Sequence, residues 1–238
     1  MPLQDIPVLR IKEMVIELTG ETPLIVHKWA EKAKDSMRVK QTQGAKLKKE
    51  AKDPYQDFRD ATYFIPSKAG EPERYGFPAS AFALSCVDSA VALGQKKTET
   101  RRAFYVLADY NSPTDGQLVE ILTDEPPRMR EDMVRIGMGT ADLRYRPEFV
   151  NWKVMLGVRY DELQITPEQI VTLFNQAGFS TGIGEWRRER DGTNGMFSVT
   201  RYGVPVNGDP KAIEEMATGN ITGNGKAKSS NGKAKVLA

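Results

Sequence analysis

The order of hydrophobic patterns along the 238-residue chain predicts an α+β fold whose core runs strand, helix, strand, strand, helix, strand (βαββαβ). Three observations carry that prediction. Two segments, Leu9–Leu18 and Trp152–Tyr160, alternate apolar and polar residues with the period of two that a strand demands. Two others, opening at Pro78 and at Thr166, carry helical spacing between start and stop signals. Between these elements lie two long stretches of mixed composition that a simple connection does not need.

In the first strand Leu9, Ile11 and Val15 interleave with Lys12 and Glu17, and Thr19-Gly20 ends it. The short apolar run Pro23-Leu24-Ile25-Val26 follows, then a lysine-rich stretch, Lys28–Lys49, of helical composition. Ala51–Gly76 mixes Pro, Gly, charges and aromatics and reads as irregular. Pro78 opens a helix in which Ala83, Cys86, Val87, Ala90 and Val91 share an apolar face, with Gly94 as the stop; Cys86 is expected in the core. Ala103–Leu107 and Leu118–Leu122 read as short strands flanking the turn-rich Asn111–Gly116. The strand Trp152–Tyr160 is followed by the best-signalled helix of the chain. Thr166 can N-cap it, Pro167 takes its first position, Gln169 completes a capping box, and Gly178 is expected to end it. A glycine-rich segment then leads to a last strand, Met196–Tyr202.

Without the insertions this is the ferredoxin-like arrangement, with helices on one face of an antiparallel sheet. The open face of such a sheet is a familiar platform for single-stranded nucleic acid. The expected domain is residues 1–207, with insertions at about 25–75 and 124–148. Residues 208–238 contain no aromatic residue and are rich in Gly, Lys and Ser, which predicts a flexible tail.

Composition removes several function classes. One cysteine allows no internal disulfide framework, and one histidine, His27, allows no two-histidine metal motif. The longest apolar runs are too short to cross a bilayer and no signal region opens the chain, so a cytoplasmic protein without membrane partner is expected. The net charge of +2 averages over strong local differences. Five tail lysines face three acids, which leaves twenty-nine of each sign in residues 1–207. Within that neutral body Lys28–Lys49 holds eight basic residues against Glu31 and Asp35. Arg128, Arg130, Arg135, Arg144 and Arg146 form a second island, and Arg187, Arg188 and Arg190 a third. Phosphate contacts respond to local potential, so a neutral body with basic islands fits a polyanion.

The segment Thr181-Gly182-Ile183-Gly184-Glu185-Trp186-Arg187-Arg188 joins the second helix to the last strand. Glycines permit positive φ and close backbone approach, so N–H groups at Gly182 and Gly184 can meet phosphate oxygens. Trp186 can stack on a base while Arg187 and Arg188 neutralise its backbone. A dinucleotide fingerprint needs its glycines between a strand and a helix, the reverse of the order found.

A glycine-rich loop at that place in a ferredoxin-like unit resembles the RAMP superfamily of CRISPR-associated proteins. Gly76-Phe77-Pro78-Ala79-Ser80-Ala81-Phe82 is similar to the helix start of backbone-type RAMP subunits, with Ala79 in place of the usual glycine. Leu18–Leu24 is similar to their first strand and its exit. The run Pro23–Trp29 together with the glycine-rich loop is also similar to uncharacterised proteins of tailed phages and prophages. The resemblance implies non-catalytic binding of RNA or single-stranded DNA through backbone contacts, by subunits stacked as a homo-oligomer or filament. The expected contacts are Lys28, Lys32, Lys34, Arg38, Lys40, Arg130, Arg135, Arg144, Arg146, Gly182, Gly184, Trp186, Arg187 and Arg188.

Two other readings stand beside this one. RAMP processing endoribonucleases cut RNA without metal, typically with a histidine near the first helix as general base. His27 stands at about that place, with Lys28 or Lys32 available to stabilise developing charge. With no second imidazole, Tyr or Lys would have to serve as the acid; Asp53, Asp57 and Asp60 have no identifiable distal partner for a metal, and neither catalysis, metal nor cofactor is expected. The third reading is a phage-encoded interaction module acting on a host system.

Overall fold

The computed structural model describes residues 8–29, 31–43, 53–136 and 140–203; the expected tail and Lys46, Lys48 and Lys49 lie outside these. In chain order the elements are β1 (Ile11–Gly20), β2 (Leu24–Ile25), α1 (Glu31–Gln43), α2 (Pro54–Asp60), β3 (Phe64–Ile65) and β4 (Arg74–Pro78). Then come α3 (Ala79–Ser89), α4 (Lys97–Ala103), β5 (Phe104–Val106), β6 (Tyr110–Ser112) and β7 (Gly116–Ile121). The chain continues with β8 (Arg128–Ile136), β9 (Thr140–Phe149), β10 (Lys153–Asp161), α5 (Pro167–Ser180) and β11 (Phe197–Gly203). The fold is mixed α/β, with three antiparallel sheets among the described residues.

The first sheet has the order β11-β1-β10-β5. In chain order of its own strands that is fourth, first, third, second, with α3 and α5 in the two crossover connections. Met14, Ile16 and Leu18 of β1 and Val154, Leu156 and Val158 of β10 bury their side chains against Phe82 and Cys86 of α3 and Phe174 and Ala177 of α5. Cys86 is fully enclosed there, as its place on the apolar helical stripe predicts. Helix α5 starts as read: Gln169 N–H donates to the Thr166 hydroxyl, and Thr166 N–H donates to the Gln169 amide oxygen. It does not stop at Gly178 but runs two residues further. Gly178 serves packing instead, since a Cβ there would collide with the Phe197 carbonyl of β11.

The other face of this sheet is lined largely by charged residues. In register along it stand Glu13, Val15 and Glu17 of β1 opposite Arg159, Gly157 and Met155 of β10. Tyr105 is the aromatic residue aligned with Arg159, and its hydroxyl accepts from the guanidinium at 2.9 Å. Glu17 is buried between Arg201 and Thr200, whose hydroxyl donates to it at 2.6 Å. Paired charges therefore occupy this face, and a single half-exposed ring offers no row of stacking surfaces.

The described parts of the two insertions hold regular elements where Ala51–Gly76 is expected to be irregular. Ala51–Gly76 contains α2, capped by Asp53, and then β3 and the start of β4, which joins the sheet β3-β4-β7-β6. Leu118–Leu122 falls in that sheet, as β7, and Ala103–Leu107 in the first, as β5. The second insertion is a two-stranded ribbon, β8 with β9, whose base joins β2 through Leu24 opposite Phe149. No helix among the described residues is long and apolar enough to cross a membrane.

Candidate nucleic-acid interface

The glycine-rich loop, residues 181–196, folds down onto the exit of β1. Glu185 N–H donates to the Ile25 carbonyl at 2.9 Å and Gly195 N–H to that of Pro23 at 2.8 Å. Met196 N–H donates to the Thr22 hydroxyl at 2.9 Å, and the Met196 carbonyl accepts from Glu21 N–H at 2.8 Å. Within the loop Ile183 N–H reaches the Gly195 carbonyl and Asn194 N–H that of Trp186. The buried Ser85 hydroxyl of α3 donates to the Gly182 carbonyl at 3.0 Å.

Gly182 and Gly184 shape the loop itself. Both have positive φ, but Gly184 lies against the Ile25 carbonyl and Gly182 is buried. Their backbone freedom closes the loop on itself and on β2, so it forms a compact pedestal.

What the pedestal displays is side chains. Trp186 adopts a left-handed φ of 53°, rare for a large residue, and leaves 44% of its surface exposed. Its carbonyl is gripped by Asn194 N–H, and Gly192 fits against the same peptide where a Cβ would collide. Arg188 lies 5.3 Å over the ring of Phe179, which is itself 60% exposed. Arg190 is exposed, and neither it nor Arg188 has an ion-pair partner among the described residues. Arg187 differs: its guanidinium pairs with Glu189 at 2.7 Å and donates to the Gly184 carbonyl at 3.3 Å. It braces the loop.

Beneath the loop runs a line of alternating charge. His27 Nδ1 stands 3.5 Å from Glu185, and that contact holds the Glu185 carboxyl below the usual carboxylate range; burial opposes the shift, and Arg146 and Arg144 assist it. Arg146 is 2% exposed, reaches Asp132 at 3.3 Å, and keeps a buried Nε without a hydrogen-bond partner. Arg130 bonds both Asp132 and Glu148, at 2.9 and 2.8 Å. In the ribbon register Arg130 faces Arg146, and Asp132 faces Arg144.

These contacts sort the basic residues expected from sequence. Lys28 is taken by Asp115 at 2.9 Å, Arg38 by Asp35, Arg130 and Arg146 by the carboxylates just named, and Arg187 by Glu189. Four of these five cations are partly withdrawn from water by their pairing, whereas the Arg38–Asp35 pair stays exposed. Lys34 is half-buried and engaged, and the side chains of Lys32 and Lys40 lie outside those described. Arg135, Arg144 and Arg188 remain without an ion pair among the described residues. Three exposed residues, Arg190, Phe179 and Trp29, stand outside the contacts expected from sequence. Arg190 belonged to a basic island already seen; Phe179 and Trp29 are aromatic residues 60% and 56% exposed, which no periodicity announces.

His27 is 24% exposed on its side chain and adjoins Glu185, a base-and-orienter geometry, while the lysine beside it is neutralised by Asp115. No group of three metal-ligating side chains occurs among the described residues.

No family model matches the chain, and no curated protein matches it. Solved structures similar to it include a chain of the cryo-EM structure of the Type III-B Cmr-beta bound to cognate target RNA. That pair shares 12% identity at a TM-score of 0.43, covering 82% of this chain and 60% of the other. The chain thus spans three fifths of that neighbour's length. The crystal structure of Cmr6 from Pyrococcus furiosus is also similar, at 9% identity and a TM-score of 0.37, covering 81% of this chain and all of that one. Likeness at this level carries no functional weight.

Proposed function

We propose that the protein binds single-stranded nucleic acid, RNA or DNA, without cutting it, through a track that runs from Arg144 and Arg135 on the ribbon to Trp186, Arg188 and Arg190 on the glycine-rich loop. The observation that carries this reading is the division of the cations. Those beneath the loop are consumed in ion pairs, whereas Arg188, over the exposed ring of Phe179, and Arg190 have no ion pair among the described residues. Unpaired guanidinium groups next to exposed rings suit a strand that offers phosphates and stackable bases together. A duplex offers Trp186 a base face only at the cost of unstacking a step. The ferredoxin-like description of the first sheet and the assembly of several copies along one strand belong to the same proposal. The alternating order of β11-β1-β10-β5 supports the former.

The alternative is a metal-independent endoribonuclease using His27, favoured by the His27–Glu185 contact. One incubation separates the two. Labelled RNA kept with excess protein in EDTA is expected to stay intact while remaining bound. Discrete products that vanish in His27→Ala would replace binding with catalysis.

A further inference from the structure

A cleft of about 380 Å³ opens between α1, α2 and the ribbon, beside the proposed track. Trp29, Met37 and Leu143 line it, respectively 56%, 48% and 41% exposed, so three apolar side chains turn toward water around one opening. Asp57 and Asp60 of α2 also line it, and Arg144 lies on its margin. The charged groups here are not equivalent. Asp60 already accepts the Gln56 amide at 2.7 Å, and Lys28 on the rim is held by Asp115. Asp57 is half-buried, and its carboxylate has no side-chain partner among the described residues. Arg144 has no ion pair there either.

Those groups define the chemistry of an occupant. Indole and thioether walls take a flat ring. An ionised carboxylate only accepts hydrogen bonds, so the ring must present N–H donors to it. The guanidinium at the margin favours an anion attached to that ring but outside the cleft. A nucleobase on a phosphate backbone has all three features. Guanine alone among the common bases sets two adjacent donors, its ring N1–H and its exocyclic amine, on one edge to match both oxygens of a carboxylate. Uracil offers one N–H flanked by two carbonyls, which a carboxylate repels.

We propose that this cleft takes one unpaired guanine of the bound strand, stacked on Trp29, with Asp57 accepting from its Watson–Crick edge and Arg144 on the adjoining phosphate. The proposal rests on the nucleic-acid reading above and gives it a base preference.

The test compares fluorescence-anisotropy binding of short labelled uridine oligomers that carry at their centre guanine, inosine, adenine or uracil. The full chain should bind the guanine oligomer roughly ten-fold tighter than the all-uridine one, as a bidentate base contact gives. Inosine, lacking the exocyclic amine, should fall between. Asp57→Asn should erase the guanine preference while keeping the all-uridine affinity, and Trp29→Ala should weaken the guanine oligomer more than the all-uridine one; melting curves check that both variants fold. Equal binding of all four oligomers, or a preference that survives in Asp57→Asn, overturns the guanine site and leaves the backbone reading intact. Absence of binding to every oligomer overturns both.

Discussion

Arg187 and Arg188 are neighbours in sequence with opposite surroundings. Arg187 forks onto Glu189 and the Gly184 carbonyl, while Arg188 lies over an exposed ring with its charge unpaired. Substituting each by alanine should therefore give different results. Arg188→Ala and Arg190→Ala should each lower affinity for a single strand and flatten its salt dependence by about one phosphate contact, with unchanged melting temperature. Arg187→Ala should instead lower the melting temperature and affect binding only through the loop. Glu185 gives a titration to follow. Its carboxyl is held below the usual range, so the folded state gains stability above that range and loses it as pH falls through it. Melting curves from about pH 7 to about pH 3 should show Glu185→Gln less stable at neutral pH and less sensitive to acid than the wild type. Parallel curves would mean that Glu185 does not anchor the loop.

At the scale of elements, legibility followed locality. The start of α5 was readable because a capping box is four consecutive residues making their own hydrogen bonds. The alternation of β10 was readable because one of its faces meets the core along its whole length. The end of α5 was misread for the same reason, since Gly178 answers to a distant carbonyl and not to its own helix. Gly178→Ala should cost about 1–3 kcal/mol in urea unfolding, the range for overpacking a close contact, although alanine favours helix. A gain in stability would show that β11 can move aside. The ribbon and α2 were hidden within mixed composition. Their order comes from pairing with β2 and from packing of α2 on β9, both long in sequence separation. The candidate site was half legible in the same way. Basic islands can be counted from sequence, but whether a cation is spent depends on partners such as Asp115 for Lys28, which no local pattern records.

At the scale of the molecule, a net charge of +2 says little about partners. Subtracting the tail makes the body neutral, and the ion pairs beneath the loop remove more of its basic residues from view. The track proposed above is short and flanked by aromatic residues, so binding should be moderate, salt-sensitive and selective for single strands. Four unpaired arginines (Arg135, Arg144, Arg188 and Arg190) would release about three counterions from a single strand. The most direct measurement is the affinity for labelled RNA and DNA strands of about thirty nucleotides, followed from about 50 to 200 mM salt. It is made for the wild type and for a variant with Arg144, Arg188 and Arg190 changed to alanine. The predicted result is a fall of roughly fifty-fold across that range for the wild type and a nearly flat, weak curve for the variant. No binding at the lowest salt, or a variant indistinguishable from the wild type, would contradict the proposed track.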